Sequence, residues 1–127
     1  MNVVAVLGAA VLLLIASFVV LWVGRLGSQG ALKRNRLVGI RTRQTLASDA
    51  AWAAGHRAGA RKTAVGAVGS IVGSSVAVLS GLLPLVGVAE HIAMVSAATF
   101  ILGSSVWMVG CLIAAAAAAN RAAEAAS

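Results

Sequence analysis

The sequence predicts an all-α membrane protein with three transmembrane helices and a basic cytoplasmic loop containing a short interfacial helix. Three observations carry that reading. Of the 127 residues, 61% are hydrophobic and only 10% are charged, against about 45–50% and about 25% in soluble domains, so the chain needs an apolar solvent. The apolar residues fall into three uncharged stretches, 3–24, 63–89 and 92–119, each at least as long as the about 20 residues that carry a helix across about 30 Å of hydrocarbon. Nine of the ten cations lie together between the first and second stretches. Disorder requires low hydrophobicity and a disulfide scaffold requires paired cysteines, so composition and the single Cys111 argue against both. Little sequence remains for a soluble module, and residues 1–127 read as one membrane domain.

The first helix is expected over 3–24. Met1 and Asn2 supply no basic start, and 22 apolar residues exceed the about 7–15 of a signal-peptide core, so this helix is expected to be retained. Helices are the expected spanning form throughout, because lipid offers backbone groups no partners and the long apolar runs lack the alternation of a barrel.

The loop, 25–62, holds Arg25, Lys33, Arg34, Arg36, Arg41, Arg43, Arg57, Arg61 and Lys62, with Asp49 as its only acid. The positive-inside rule places it in the cytoplasm. The amino terminus is then outside, the turn at Glu90 and His91 is also outside, and the carboxyl-terminal tail with Arg121 and Glu124 is inside. Gly27, Ser28 and Gly30 predict a turn at the start of the loop. Ser48 as N-cap, Asp49 in the first turn, and Ala47 with Trp52 as a hydrophobic staple predict a helix from about residue 49 leading towards or into the second span. On it Trp52, His56 and Gly59 share one face while Arg57 and Arg61 point elsewhere, the pattern of an interfacial helix.

The second membrane helix is expected over 63–88. Gly66, Ser70 and Ser74 recur every four residues, beside a row of Gly69, Gly73 and Ala77, and such rows let another helix approach closely. Packing within the chain is the preferred reading because the pattern is common, and a homo-oligomer is the other arrangement these faces allow. Pro84 is expected to kink or end this helix. The third helix is expected over 92–119.

No Asp, Glu, Lys, Arg or His falls inside any of the three stretches, which argues against ion or proton transport by a single copy. Glu90 and His91 have no second histidine or cysteine nearby to complete a metal site, and Cys111 lies deep in the third stretch, where a thiolate is disfavoured. With no phosphate loop, nucleophile elbow or metal spacing, the reading is a protein that is not an enzyme and uses no cofactor or metal. Nucleic acid is not expected, since the basic segment is short, tethered to the bilayer and has no aromatic before Trp52. Anionic lipid headgroups are the expected contact of Lys33–Arg43, at about 1 kcal/mol per cation.

Asn35, Gly39-Ile40-Arg41-Thr42, Trp52, His56-Arg57 and Gly59 together resemble the signature of the SdpI family of small bacterial membrane proteins. The resemblance covers Lys33 to about Leu83, and the third helix fits by hydropathy. It implies a multi-pass protein of the bacterial plasma membrane with a non-enzymatic role in immunity or signalling. The implied partner is a peptide toxin, a signalling protein or another membrane protein, held by Asn35, Gly39, Arg41, Thr42, Trp52, His56 and Arg57 and by the helix faces. An accessory subunit packed on a larger membrane complex is the alternative. In physical terms Gly39 permits a positive φ, and Trp52 is suited to anchor at headgroup depth. Arg41 can grip a phosphate or carboxylate bidentately, or hold the loop through Asp49.

Overall fold

The computed structural model describes Asn2–Ser127. Three helices, α1 (Val3–Ser28), α2 (Asp49–Gly81) and α3 (Glu90–Ala126), are joined by irregular chain and two short 3-10 turns, Thr45–Ala47 and Leu83–Val86. Each helix is long and apolar enough to cross a membrane, and no strand occurs among the described residues.

Local chemistry sets the helix ends. At the start of α1 the Asn2 side chain accepts a hydrogen bond from the Ala5 amide at 2.8 Å, which satisfies one of the orphan donors of the first turn. The helix runs through Gly27 and Ser28, one turn past the uncharged stretch. Its stop lies at Gly30, φ +76°, where the amides of Gly30 and Ala31 donate back to the carbonyls of Gly27 and Leu26 in the Schellman arrangement. Ser48 caps α2 by accepting from the Ala51 amide at 3.0 Å. From there α2 continues unbroken for 33 residues, about 50 Å at 1.5 Å per residue. The interfacial helix read from the sequence is therefore the first part of α2 and no separate element. At the other end α2 stops at Gly81, and Pro84 sits in the 3-10 turn that follows, where its missing donor costs nothing.

Helix α3 begins at Glu90 and spans 37 residues, about 55 Å, well beyond the about 30 Å of hydrocarbon. Six consecutive alanines, Ala114–Ala119, precede Asn120. Alanine's helix propensity carries the element past that polar residue, so the last turns of α3 stand beside the loop.

Helix α2 is the middle of the bundle and packs antiparallel to both neighbours, which meet each other far less. Against α1, the buried hydroxyls of Ser17 and Ser70 lie 2.7 Å apart, and the Ser74 hydroxyl donates to the Ser70 carbonyl at 2.6 Å. Against α3 the glycines matter. A Cβ on Gly66 would meet Cys111, one on Gly69 the Trp107 indole, and one on Gly73 the Ser104 hydroxyl. The small-residue rows thus seat helices of the same chain. Gly69→Leu or Gly73→Leu should cost about 1–3 kcal/mol through overpacking and lower the midpoint of thermal unfolding in detergent. Unchanged midpoints for both variants would mean that these rows do not seat α3. On the outer faces, Leu12, Ile15 and Trp22 of α1 and Leu102 and Val106 of α3 are exposed, as lipid-facing side chains are in a bundle whose solvent is hydrocarbon.

Candidate functional site

The chain between α1 and α2 folds over the near ends of all three helices, and the residues singled out by the sequence signature, Arg57 excepted, shape it or hold it there. Asn35 shapes the first bend: its Oδ1 accepts from the amides of Leu37 and Val38, and its Nδ2 donates to the Lys33 carbonyl, all at 2.8 Å. This Asx turn pushes Leu37 outward, 83% exposed, in the middle of the cations Lys33, Arg34, Arg36, Arg41 and Arg43.

Gly39 follows at φ +108°, a conformation open to glycine and strained for other residues. Space demands glycine as well, since a Cβ there would lie 2.7 Å from His56 Nε2 and 3.2 Å from Trp52. Next in the chain, the Ile40 amide donates to His56 Nε2 at 3.0 Å. His56 Nδ1 lies 2.8 Å from the Trp52 carbonyl, and the Trp52 indole donates to the Leu32 carbonyl at 2.8 Å. The two rings rest against each other with centroids 4.2 Å apart. Trp52 and His56 form a clasp, one ring holding Leu32 and the other Ile40, on either side of the bend at Asn35.

The sequence placed Trp52 at headgroup depth and His56 at the interface. Both are buried, 3% and 4% exposed, and their rings face the protein's own loop, a contact the sequence did not suggest. Their amphipathic character suits either setting, and the covering chain lies too far away in sequence to be inferred locally. Of the two roles the sequence left open to Arg41, the contact with Asp49 is not formed. Asp49 pairs with Arg34, Nε to Oδ1 3.0 Å, while Arg41 donates from Nη1 to the Arg36 carbonyl at 2.7 Å and closes the bend around Leu37. Arg57 points outward, exposed.

A second set of contacts went unread in the sequence. Thr42 and Thr45 cap each other, the Thr42 amide donating to Thr45 Oγ1 at 3.0 Å and the Thr45 amide to Thr42 Oγ1 at 3.2 Å. The Thr45 hydroxyl also donates to the Ile40 carbonyl at 2.6 Å. Thr42 reaches across to α3 and donates to Asn120 Oδ1 at 2.6 Å. Two threonines three residues apart before a short helical turn carry the signature of reciprocal capping, and that spacing was the available signal.

The clasp needs a particular protonation state. Nε2 of His56 accepts from Ile40, so Nδ1 carries the proton and donates to Trp52. Burial, by Gly27 of α1 and by the loop at Gly39, pushes the His56 pKa below its usual value of 6.5, partly countered by the bond to the Trp52 carbonyl. His56 precedes the uncharged part of α2 that begins at Thr63. Because the docked loop lowers this pKa, the released state takes up a proton first on acidification. Loop docking is thus fully stable above about pH 6.5 and weakens below it. Trypsin cleavage of the Lys33–Arg43 segment should accelerate as the pH falls from about 7.5 to about 5.5, after correction for the protease's own pH profile. A flat corrected profile would contradict the neutral clasp.

Among the described residues, no three His, Cys, Asp or Glu side chains come together as metal ligands would. The polar groups brought together are spent on loop geometry, and the exposed Leu37 and Val38 lie between the exposed cations Arg36 and Arg41 along the chain.

The model of the SdpI/YfhL protein family matches residues 31–124. No curated protein and no solved structure matches the chain. The matched span takes in the whole clasp, α2, and α3 as far as the turn that meets the loop. With three helices long and apolar enough to cross a membrane, and with the family model matched over residues 31–124, the chain is a multi-pass membrane protein and belongs to the SdpI/YfhL protein family.

Proposed function

We propose that the protein is a non-enzymatic immunity or signalling protein that binds a peptide toxin, a signalling protein or another membrane protein through the outer surface of its clasped loop. The observation that carries this reading is the loop itself. Asn35, Gly39, Arg41, Trp52 and His56 spend their hydrogen bonds and ring contacts on presenting Leu37 and Val38 among five cations. A merely topological loop needs positive charge but no such internal order. The concentration of cations supports a cytoplasmic loop and carboxyl terminus, with the amino terminus and Glu90–His91 outside.

Arg41 has a double part in this reading. One guanidinium nitrogen closes the bend on the Arg36 carbonyl, and the remaining donors of the planar fork stay available for a carboxylate or phosphate. A lysine has a single nitrogen and can serve one of these ends at a time. Arg41→Lys should therefore impair toxin survival or partner co-purification at matched expression, while Glu90→Gln and Cys111→Ala are nearly silent. Wild-type behaviour of Arg41→Lys together with loss of activity in Glu90→Gln would move the site to the outer face. Orientation is tested separately in whole cells. An impermeant thiol reagent should label an Ala89→Cys variant and spare a Ser28→Cys variant, both made in a Cys111→Ala background, and the reverse pattern overturns the topology.

A second reading, an accessory subunit of a larger membrane complex, draws on α3. Gly103 and Gly110 lie on its outward side with open space beyond them, a small-residue face of the kind that accepts a further helix.

A further inference from the structure

Between the loop and the helices lies a cavity of about 260 Å³ that the clasp leaves unfilled. Its wall is formed chiefly by Val20 and Val23 of α1, Leu37 and Ile40 of the loop, and Ala60 and Thr63 of α2. At the rim stand Val19, half exposed, and Leu37, 83% exposed. The cavity starts beside Gly24, one residue before Arg25, and so at the depth where hydrocarbon meets headgroups.

We propose that this cavity holds an acyl chain of an anionic phospholipid, with the lipid phosphate set against Arg36 and Arg41. Water is a poor occupant, because a buried water needs 2–4 polar partners and this wall is apolar. His56 borders the space, but both of its ring nitrogens are already engaged. A peptide segment is disfavoured for the same reason, since its backbone would bring amides and carbonyls that find no partners. An acyl chain makes no such demand. Thr63 adds a second sign of a ligand: it is 7% exposed, and its hydroxyl has no hydrogen-bond partner among the described residues. The ester oxygens at the head of an acyl chain are acceptors of the kind it lacks. Charge fixes the class of lipid, because exposed Arg36 and Arg41 bracket Leu37–Ile40, the loop residues that line the cavity.

This inference rests on the reading that the loop lies against anionic headgroups, and on no toxin or protein partner. Native mass spectrometry of the full chain in neutral detergent, with added dioleoyl-phosphatidylglycerol or dioleoyl-phosphatidylcholine, tests it directly. One phosphatidylglycerol should be retained in preference to phosphatidylcholine, by about fivefold for each cation that reaches the phosphate. Ala60→Phe and Val23→Phe fill the cavity from different helices, and each should abolish the retention, so either one that folds suffices. Arg36→Gln keeps the carbonyl that Arg41 grips and should lose part of the preference but not the bound lipid. Equal retention of the two lipids, or undiminished phosphatidylglycerol in a folded cavity-filled variant, overturns the proposal. Loss of protection in the Arg41→Lys assay is read in cells and lipid retention on purified protein, so each reading can fail alone.

Discussion

Replacing Trp52 with alanine should release the basic loop while the three membrane helices stay in place. The indole is 3% exposed, donates to the Leu32 carbonyl and lies against His56 and Gly39. Truncating a buried tryptophan costs about 3–5 kcal/mol, to which the orphaned Leu32 carbonyl adds about 1 kcal/mol. That loss falls on one docked segment with few other long-range ties, chiefly the His56–Ile40 and Thr42–Asn120 bonds. Helix α2 keeps its own ladder and its contacts with α1 and α3, so the expected outcome is local opening. The loop carries its own reporter in Lys33, Arg34, Arg36, Arg41 and Arg43. Trypsin cleavage there should rise at least about tenfold, because opening free energy sets the rate when reclosing is fast. Trp52→Phe should recover most of the protection and lack only the hydrogen bond, about 0.5–1.5 kcal/mol. Digestion of Trp52→Ala at the wild-type rate would remove the clasp from the account.

The membrane helices were legible because hydrocarbon imposes a minimum length and forbids charge, so uncharged stretches of 3–24, 63–89 and 92–119 leave little choice of architecture. Ser48 and Asp49 were legible for a similar reason, since an N-cap acts within three residues of itself. The end of α3 was not, because a boundary drawn at the first polar residue stops at Asn120, whereas helix propensity ignores the solvent and continues to Ala126. In the candidate site, the grouping of Trp52, His56 and Gly59 on one face followed from helical spacing, but what that face covers did not. The partners are Leu32, Gly39 and Ile40, and no periodicity links them to α2. Asp49 had several arginines within reach of a flexible chain, and the choice of Arg34 over Arg41 is a matter of where the Asx turn at Asn35 aims the backbone.

The other large effect is expected at Gly59, where the loop, α2 and α3 meet. A Cβ there would lie 2.9 Å from Ile40 Cδ1 and 3.0 Å from the backbone carbonyl oxygen of Ala115. The Ile40 methyl can turn aside, but the Ala115 carbonyl belongs to the ladder of α3 and cannot yield without moving the helix. With leucine in place, α3 must separate from α2 or the loop must lift, and overpacking of this kind costs about 1–3 kcal/mol or more. The gain from replacing glycine within a helix, about 1 kcal/mol, offsets only part of that. Gly103 supplies the control, since nothing lies within 4 Å of a Cβ placed there and Gly103→Leu would add an apolar side chain on a lipid-facing side. Gly59→Leu should lower the thermal unfolding midpoint in detergent and expose the Lys33–Arg43 segment to trypsin, and Gly103→Leu should do neither. If Gly59→Leu keeps the wild-type midpoint, α2 and α3 do not touch at this level, and the floor on which the loop is clasped is not the one described. If only loop protection is lost, the methyl of Ile40 has given way first and the helix pair is the more rigid partner.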